Sequence, residues 1–339
     1  MRLAEATERA ARGQGPRHAI WELEKELGAT VHEPDASSIA GVDKLRALVA
    51  PPGSLWALAR RVRSRTRQGD VVFCSTEAGG LQVAAVYGTK EVRPHIAIFV
   101  HNVDRPRARF ALQWWRMAQK IDLFLACSEI QVEFLRRYLK LSNDRVRFIW
   151  DHTDTRFFSP GPGSIVKKRP LIVSVGLEQR DYRTLADATH DLDIDVRISG
   201  FSQDAAAMAR TFPDKLPANM SRRFYEWPEL LQLYRDADVV VVSCFENRYA
   251  AGVQSLMEAM ACKRPVIATA TLGLKAYCQD SVVAIRPNDA QAMREAIVGV
   301  LEDPTAAENR AARGYADALR RHDMDRYVKE VSTALRSLI

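Results

Sequence analysis

Hydrophobic positions along the chain fall into two alternating patterns. Short runs rich in Val and Ile are separated by longer segments whose apolar residues recur at three- and four-residue spacing. Such alternation reads as βαβ units and parallel sheets, so the chain is predicted to be α/β. In the first half, strands are expected at residues 71–75, 95–101, 122–128 and 146–150, with helices near 16–27, 54–68, 106–120 and 129–140. In the second half, strands are expected at 169–176, 194–200, 237–243, 264–269 and 281–285, and charged helices near 289–302 and 305–339 close the fold. Between the halves, Ser159-Pro-Gly-Pro-Gly-Ser164 followed by Lys167, Lys168 and Arg169 interrupts regular structure. This pattern predicts an N-terminal domain over 1–158, a linker over 159–169, a C-terminal domain over 170–320, and a last helix over 321–339 that packs back on the first domain. Residues 1–15 contain no apolar strand. Either the first sheet lacks its usual opening strand or the reading frame begins late.

Composition narrows this picture. With 339 residues, 47% hydrophobic and 27% charged, the chain has apolar material for two cores and neither a repeat nor a low-complexity tract. There is no apolar run of about 18 residues and no signal-peptide core at the N-terminus, so a cytoplasmic protein is expected. The cysteines, Cys74, Cys127, Cys244, Cys262 and Cys278, lie scattered in apolar stretches and read as reduced thiols. A net charge of +7 implies an anionic partner: a nucleotide, a nucleic acid or a membrane surface. Arg105, Arg107, Arg109, Arg116 and Lys120 occur without a carboxylate after Arg105 and include Trp114 and Trp115 between them. That stretch could lie on the inner face of an anionic membrane, or form a solvated helix with its tryptophans partly in the core.

The densest chemistry lies between residues 246 and 269. After the strand ADVVVVSC comes Glu246-Asn-Arg-Tyr-Ala-Ala-Gly-Val-Gln-Ser-Leu-Met-Glu258, and Ala-Met-Ala-Cys-Lys-Arg-Pro-Val-Ile-Ala-Thr269 then leads into the next strand. Val253, Leu256, Met257, Met260 and Ala261 form one helical stripe, and Glu258 lies off it. Small residues at Ala250, Ala251 and Gly252 let a ligand approach the backbone closely. A helix start offers N–H donors and a favourable dipole to a pyrophosphate. A carboxylate about two turns further on can accept two hydroxyl hydrogen bonds, as a ribose requires. The alternative is a buried helix whose glutamate is satisfied locally.

This segment resembles the retaining GT-B glycosyltransferases of the GT4 family, whose C-terminal domain carries E-x7-E followed by A-M-A-x-G-x-P-V-I-A-T. The resemblance implies two Rossmann-like parallel-sheet domains facing a cleft. It also implies a UDP- or GDP-linked sugar as co-substrate, no other cofactor, no metal, and sugar transfer with retention to a glycan, lipid or metabolite. Glu258 would then hold the ribose, and the amides of Ala251, Gly252 and Val253 would face the donor. Eight residues before Glu258 stands Ala250, so the family's first glutamate is absent and Glu246 becomes the candidate substitute.

Other stretches are similar to the same family. Ser174-Val-Gly-Leu-Glu-Gln-Arg-Asp resembles its G-R-x-x-x-K segment, which gives Gly176 the role of clearing space and Arg180 that of stabilising charge on the leaving diphosphate, with Leu177 in place of the first basic residue. Asp151-His-Thr-Asp-Thr-Arg-Phe-Phe-Ser-Pro160 resembles N-G-V-D-x-x-x-F-x-P, in which Asp154 anchors the crossover, Phe157 and Phe158 pack, and His152 is satisfied locally. By the same resemblance, His101 at a strand end lies beside the transferred sugar. Glu77 and Gly79 could line the acceptor side, and Gly15 belongs to a short glycine pair replacing the family's first glycine-rich loop. Two rival readings stay open: a related protein that binds nucleotide without transfer, suggested by Ala250 and Leu177, and a nucleic-acid-binding module, for which no motif is present.

Overall fold

The computed structural model describes residues 3–87, 92–114, 116–164, 167–201 and 207–339. The chain divides into two compact units: one gathers Met1–Ala19 with Asp151–Tyr327, the other Ile20–Trp150 with Val328–Ile339. The helix over Leu3–Ala11 (α1) and the glycine loop that follows it therefore group with the second sheet, although their sequence position suggested the first.

The unit of the first sheet begins with helices α2 (Ala19–Leu27), α3 (Gly41–Ala47) and α4 (Gly53–Arg65). Strand β1 (Val71–Cys74), helix α5 (Glu77–Tyr87), β2 (His95–Val100), α6 (Pro106–Trp114), β3 (Leu123–Ala126), α7 (Glu129–Glu133) and β4 (Val146–Phe148) then follow. The four strands pair in parallel in the order β1-β2-β3-β4. Among the described residues no strand precedes Val71, which agrees with the missing apolar run at the N-terminus. Ile96, Ile98, Phe124 and Leu135 are fully buried in this core. Helix α5 crosses β2 so closely that a Cβ on Gly80 would meet Ile98 at 2.4 Å. The basic stretch Arg105–Lys120 forms α6 and a short 3-10 turn. Arg109 there pairs with Asp104 through Nε at 2.6 Å and stacks on Phe134 and Tyr138. Trp115 lies outside the described residues.

The second unit contains β5 (Leu171–Val175), α8 (Tyr182–Thr189), β6 (Asp195–Ser199), β7 (Met220–Arg222), α9 (Trp227–Asp236), β8 (Val239–Val242), α10 (Val253–Ala261), β9 (Val266–Thr269), β10 (Val282–Ile285), α11 (Ala290–Glu302) and α12 (Pro304–Arg321). The last helix, α13 (Met324–Arg336), starts in this unit and continues into the other. All six strands are parallel, in the order β7-β6-β5-β8-β9-β10. Numbered from β5, this is 3-2-1-4-5-6, the doubly wound Rossmann order, whose direction reverses between β5 and β8. Val239 to Val242 are all buried, as expected of a parallel strand covered on both faces. The short β7, with two exposed residues in three, has no apolar signature, and sequence patterning missed it.

Asp154 anchors the start of this unit. Its carboxylate, 2% exposed, accepts hydrogen bonds from the Arg17 backbone N–H at 2.8 Å and from Arg17 Nε and Nη2 at 3.0 and 2.8 Å. Phe158 is buried edge-on to Trp227 and Tyr234, and His152 stacks on Tyr327. Removing one partner of a buried ion pair leaves the other charge uncompensated. Asp154→Ala should therefore destabilise the protein by about 3 kcal/mol, read as a lower urea midpoint with secondary structure retained in native buffer.

Candidate functional site

The reversal of strand order splays apart the loops that follow β5 and β8, and open α/β sheets bind ligands in the crevice so formed. Here the two loops are knitted together at their base. The Asp181 N–H donates to the Ser243 carbonyl at 3.0 Å, the Phe245 N–H donates to the Gln179 carbonyl at 2.9 Å, and Arg180 forms an isolated antiparallel bridge with Cys244.

Arg180 is the centre of this arrangement, with only 4% of its surface exposed. Its Nε donates to the Val175 carbonyl at 2.9 Å, Nη1 to the Glu178 carbonyl at 3.0 Å and to Cys244 Sγ at 3.3 Å, and Nη2 to Ser255 Oγ at 2.8 Å. The guanidinium thus lies beneath two glycines. A Cβ on Gly176 would meet Nη2 at 2.5 Å, and one on Gly252 would meet Val242 at 2.8 Å and Nη1 at 3.2 Å. Both glycines have positive φ, +103° and +95°, so a side chain is disfavoured there by conformation as well as by space. The family resemblance assigns Arg180 the role of stabilising charge on a leaving diphosphate. In the structure its hydrogen bonds hold the start of α10 against the loop after β5, and its charge lies just under that helix terminus.

Gly252 caps α10. The backbone N–H groups of Gly252, Gln254 and Ser255 have no acceptor among the described residues, as the geometry of a helix start requires. Ala251 and Val253 are buried at 4% and 5% and shape the turn through N–H bonds to Tyr249 and Ala250. Between β8 and α10 the loop is braced from outside. Glu246 is exposed and its Oε1 accepts from the backbone N–H groups of Asn247 and Leu272 at 3.1 and 2.9 Å. Gly273 packs so tightly on this loop that a Cβ would fall 1.8 Å from the Tyr249 carbonyl. Tyr249 in turn donates its hydroxyl to Glu178 Oε1 at 2.7 Å. Glu246 therefore ties two loops together, a duty its sequence position did not announce. Gly273 and Tyr249 were also missed by sequence reasoning; the glycine is part of a Thr-Leu-Gly turn with no distinguishing composition.

Glu258, on α10, is 9% exposed. Its Oε2 accepts from the Tyr234 hydroxyl at 2.7 Å. Burial pushes its carboxyl up, the Tyr234 hydrogen bond and the nearby Arg180 charge oppose this, and the balance lies at about 7. Burial and the Glu258 charge raise Tyr234 well above the ordinary phenol range, so the phenol stays protonated as donor. One carboxylate oxygen is thus fixed, and the residue titrates close to neutrality.

The first-sheet unit holds a second small cluster. Glu77 opens α5, and its two oxygens accept from the backbone N–H groups of His101 and Asn102 at 3.2 and 3.3 Å, while His101 Nδ1 lies 3.6 Å from Oε2. Burial would raise Glu77, but the His101 contact and backbone N–H groups outweigh it and bring it down to about 2. Glu77 is consequently an ionised brace for the His101 loop, and the His101 side chain remains 45% exposed. Gly79 sits near Thr76 with ordinary contacts; the glycine that the packing demands is its neighbour Gly80. Gly15 does not belong to this unit. It is buried in the unit of the second sheet, where a Cβ would approach the Trp227 ring at 3.1 Å.

Among the described residues no cluster of His, Cys, Asp or Glu could hold a metal ion. The acidic run Asp191-Leu-Asp193-Ile-Asp195 lies at the amino end of β6, away from the carboxyl-end crevice, and pairs with Arg294 and Arg169. No disulfide joins the cysteines, of which Cys127, Cys244 and Cys262 are buried and Cys74 and Cys278 partly so. No described helix is long and apolar enough to cross a membrane.

Two parallel-sheet units, one of them of Rossmann order with a glycine-lined cradle at its switch point, define the GT-B class of glycosyltransferase folds. Residues 169–303 match the model of the family described as Glycosyl transferases group 1, and this match lies within the second unit. Solved structures agree on the fold. The chain is similar to the Anabaena protein HepE in complex with UDP-glucose, at 14% identity over 95% of this chain and 90% of that one, with a TM-score of 0.71. It is similar also to sucrose-phosphate synthase from Thermosynechococcus elongatus, at 17% identity, 84% and 77% coverage and a TM-score of 0.69. The α,α-trehalose 6-phosphate synthase from Burkholderia multivorans is a third such structure, at 14% identity, 94% and 80% coverage and a TM-score of 0.67. Comparison with curated protein sequences finds no match.

The folded Glu258 carboxyl binds its proton more tightly than the unfolded one, whose ordinary value is 4.5. Stability from this group is present below pH 4.5 and is lost as pH rises towards 7, by on the order of 1 kcal/mol per pH unit. The difference in unfolding free energy between the native protein and Glu258→Gln should change in that sense between pH 4.5 and 7, and be constant above about pH 8. Gly252→Ala should cost about 1–2 kcal/mol of stability through its positive φ alone, measurable by chemical denaturation.

Proposed function

We propose that the protein transfers a sugar from a UDP- or GDP-linked donor to an acceptor, without metal and with retention of configuration. The observation that carries this reading is the cradle at the β5/β8 switch point: unpaired N–H groups at the start of α10, two glycines that keep side chains out of it, and a buried guanidinium beneath it. Negative charge is stabilised at such a place by fixed dipoles and a fixed cation that need not reorganise. A diphosphate set on the amides of Gly252, Gln254 and Ser255 would develop charge as its bond to the sugar breaks, and Arg180 would act on it through the field rather than by contact. Glu258, one turn further along, would accept the ribose hydroxyls on the oxygen that Tyr234 leaves available. The names of two solved structures of this fold, one in complex with UDP-glucose and one with UDP, support a uridine donor.

His101, braced by Glu77, is proposed as a group acting in the transfer step, and the first-sheet unit as the one that selects the acceptor. Retention is proposed on the strength of the family resemblance alone. A second reading, nucleotide binding without transfer, is favoured by one observation: Ala250 stands where the family has its sugar-contacting glutamate, and Glu246 is engaged with backbone N–H groups.

Thermal stabilisation by UDP, GDP and their sugars tests the binding step, and turnover of a sugar-nucleotide panel separates the two readings. Binding with no hydrolysis or transfer across the panel would select the second, and no binding by any nucleotide would remove both. Loss of hydrogen bonds to a charged group costs about 1.5–3 kcal/mol, so Glu258→Ala should weaken nucleotide binding about 10–100-fold with the fold intact. Ribose hydroxyls prefer the ionised carboxylate. Nucleotide binding near pH 6 should accordingly release a proton, seen by calorimetry in buffers of different ionisation enthalpy, and Glu258→Gln should abolish that release.

A further inference from the structure

Helix α3 and the turn after it carry a concentration of exposed large aliphatic residues: Val42, Leu45, Leu48 and Val49 are 45%, 67%, 81% and 67% exposed. At about 100° per residue, these four side chains occupy one arc of about 120°. The helical path continues past Ala47, because the N–H groups of Leu48, Val49 and Ala50 still donate to carbonyls within α3. Lys44 stands at one edge of the apolar arc and Arg46 at the other. Opposite it, Asp43 is fully buried, its carboxylate bonded to Arg60 at 2.8 Å and to the Ala40 N–H at 2.9 Å. The one carboxylate of α3 is thereby neutralised inside the protein. From Lys44 to Gly69 the chain contains Lys44, Arg46, Arg60, Arg61, Arg63, Arg65 and Arg67 and no Asp or Glu.

An aliphatic face edged by cations, with no exposed carboxylate on its own helix, is the pattern of a helix lying in the interface of an anionic bilayer. A protein-binding face would be expected to centre on aromatic residues and Arg anchors with hydrogen-bond partners, which this arc lacks. We infer that α3 and its following turn are a membrane-docking element, with Val42, Leu45, Leu48 and Val49 entering the acyl boundary of a bilayer rich in anionic lipid and Lys44 and Arg46 meeting its headgroups. The membrane contact that the sequence suggested for Arg105–Lys120 is thus assigned to a different element. The inference stands independently of glycosyl transfer.

The test is flotation of the full-length protein with vesicles of phosphatidylcholine alone and of phosphatidylcholine with about one third phosphatidylglycerol, in the absence of nucleotide. Binding to the anionic vesicles that weakens with salt is expected, as is a loss of at least about 50-fold in Leu45→Asp/Leu48→Asp, since removing each buried leucine is worth about tenfold or more. Both positions are exposed, so the variant's thermal melt should match that of the native protein. No partition of the native protein into anionic vesicles, or equal partition of the variant, overturns the inference. Sedimentation velocity supplies a second arm: self-association of the native protein that the double variant abolishes would give this face to a second copy of the chain and overturn it too.

Discussion

The buried guanidinium of Arg180 is the interaction on which the second unit's crevice depends. A cation with 4% exposure must have its N–H groups satisfied, and this one satisfies them on the ends of β5 and β8 and on Ser255 of α10. One side chain therefore fixes the spacing of three elements at the point where strand order reverses. Gly176 and Gly252 follow from it, because the space above the guanidinium admits no Cβ. The orphan N–H groups of α10 are held in place by the same contact, since Ser255 is both a ligand of Arg180 and a member of the helix's first turn.

Much of this was legible in the sequence, for identifiable reasons. Buried parallel strands such as Val239–Val242 and Ile96–Val100 are apolar throughout and cannot be hidden by composition. Gly176, Gly252, Arg180 and Glu258 stand out in the sequence through their likeness to the family's motifs, and the structure gathers Gly176, Gly252 and Arg180 at the switch point. What sequence could not give was the direction in which charged groups point. The sequence assigns Arg180 to the charge on a leaving diphosphate but cannot show that its guanidinium is buried against the loops and α10. Glu246, the candidate substitute for the absent glutamate, accepts from backbone N–H groups of two loops on one carboxylate oxygen, which its position in the sequence does not reveal. Gly15 was assigned by order along the chain, but the chain crosses between units after Ala19, and nothing local marks that crossing. The Tyr234 partner of Glu258 is 24 residues away on another helix, so the raised carboxyl had no local signature.

Glu258 and Glu77 show opposite uses of burial. Each is a carboxylate that burial by itself would push towards the neutral form. Glu77 receives two backbone N–H groups and an imidazole and stays ionised as a structural brace. Glu258 receives one hydroxyl and titrates near neutrality, which leaves its charge state open to a ligand. A group in that condition responds to what binds, whereas one held at about 2 does not.

The division of the chain also bears on its synthesis. The unit encoded first is not complete when Trp150 leaves the ribosome, because Val331, Ala334 and Leu335, all buried, are translated roughly 180 residues later. At about 5–20 residues per second, this unit waits about 10–40 s for its final helix, and the other unit, which ends at Tyr327, is fully translated just before that helix is complete. The nascent first-sheet unit therefore spends that interval with apolar surface uncovered, and the order of completion runs opposite to the order of translation. That interval is when a chaperone would have most to hold.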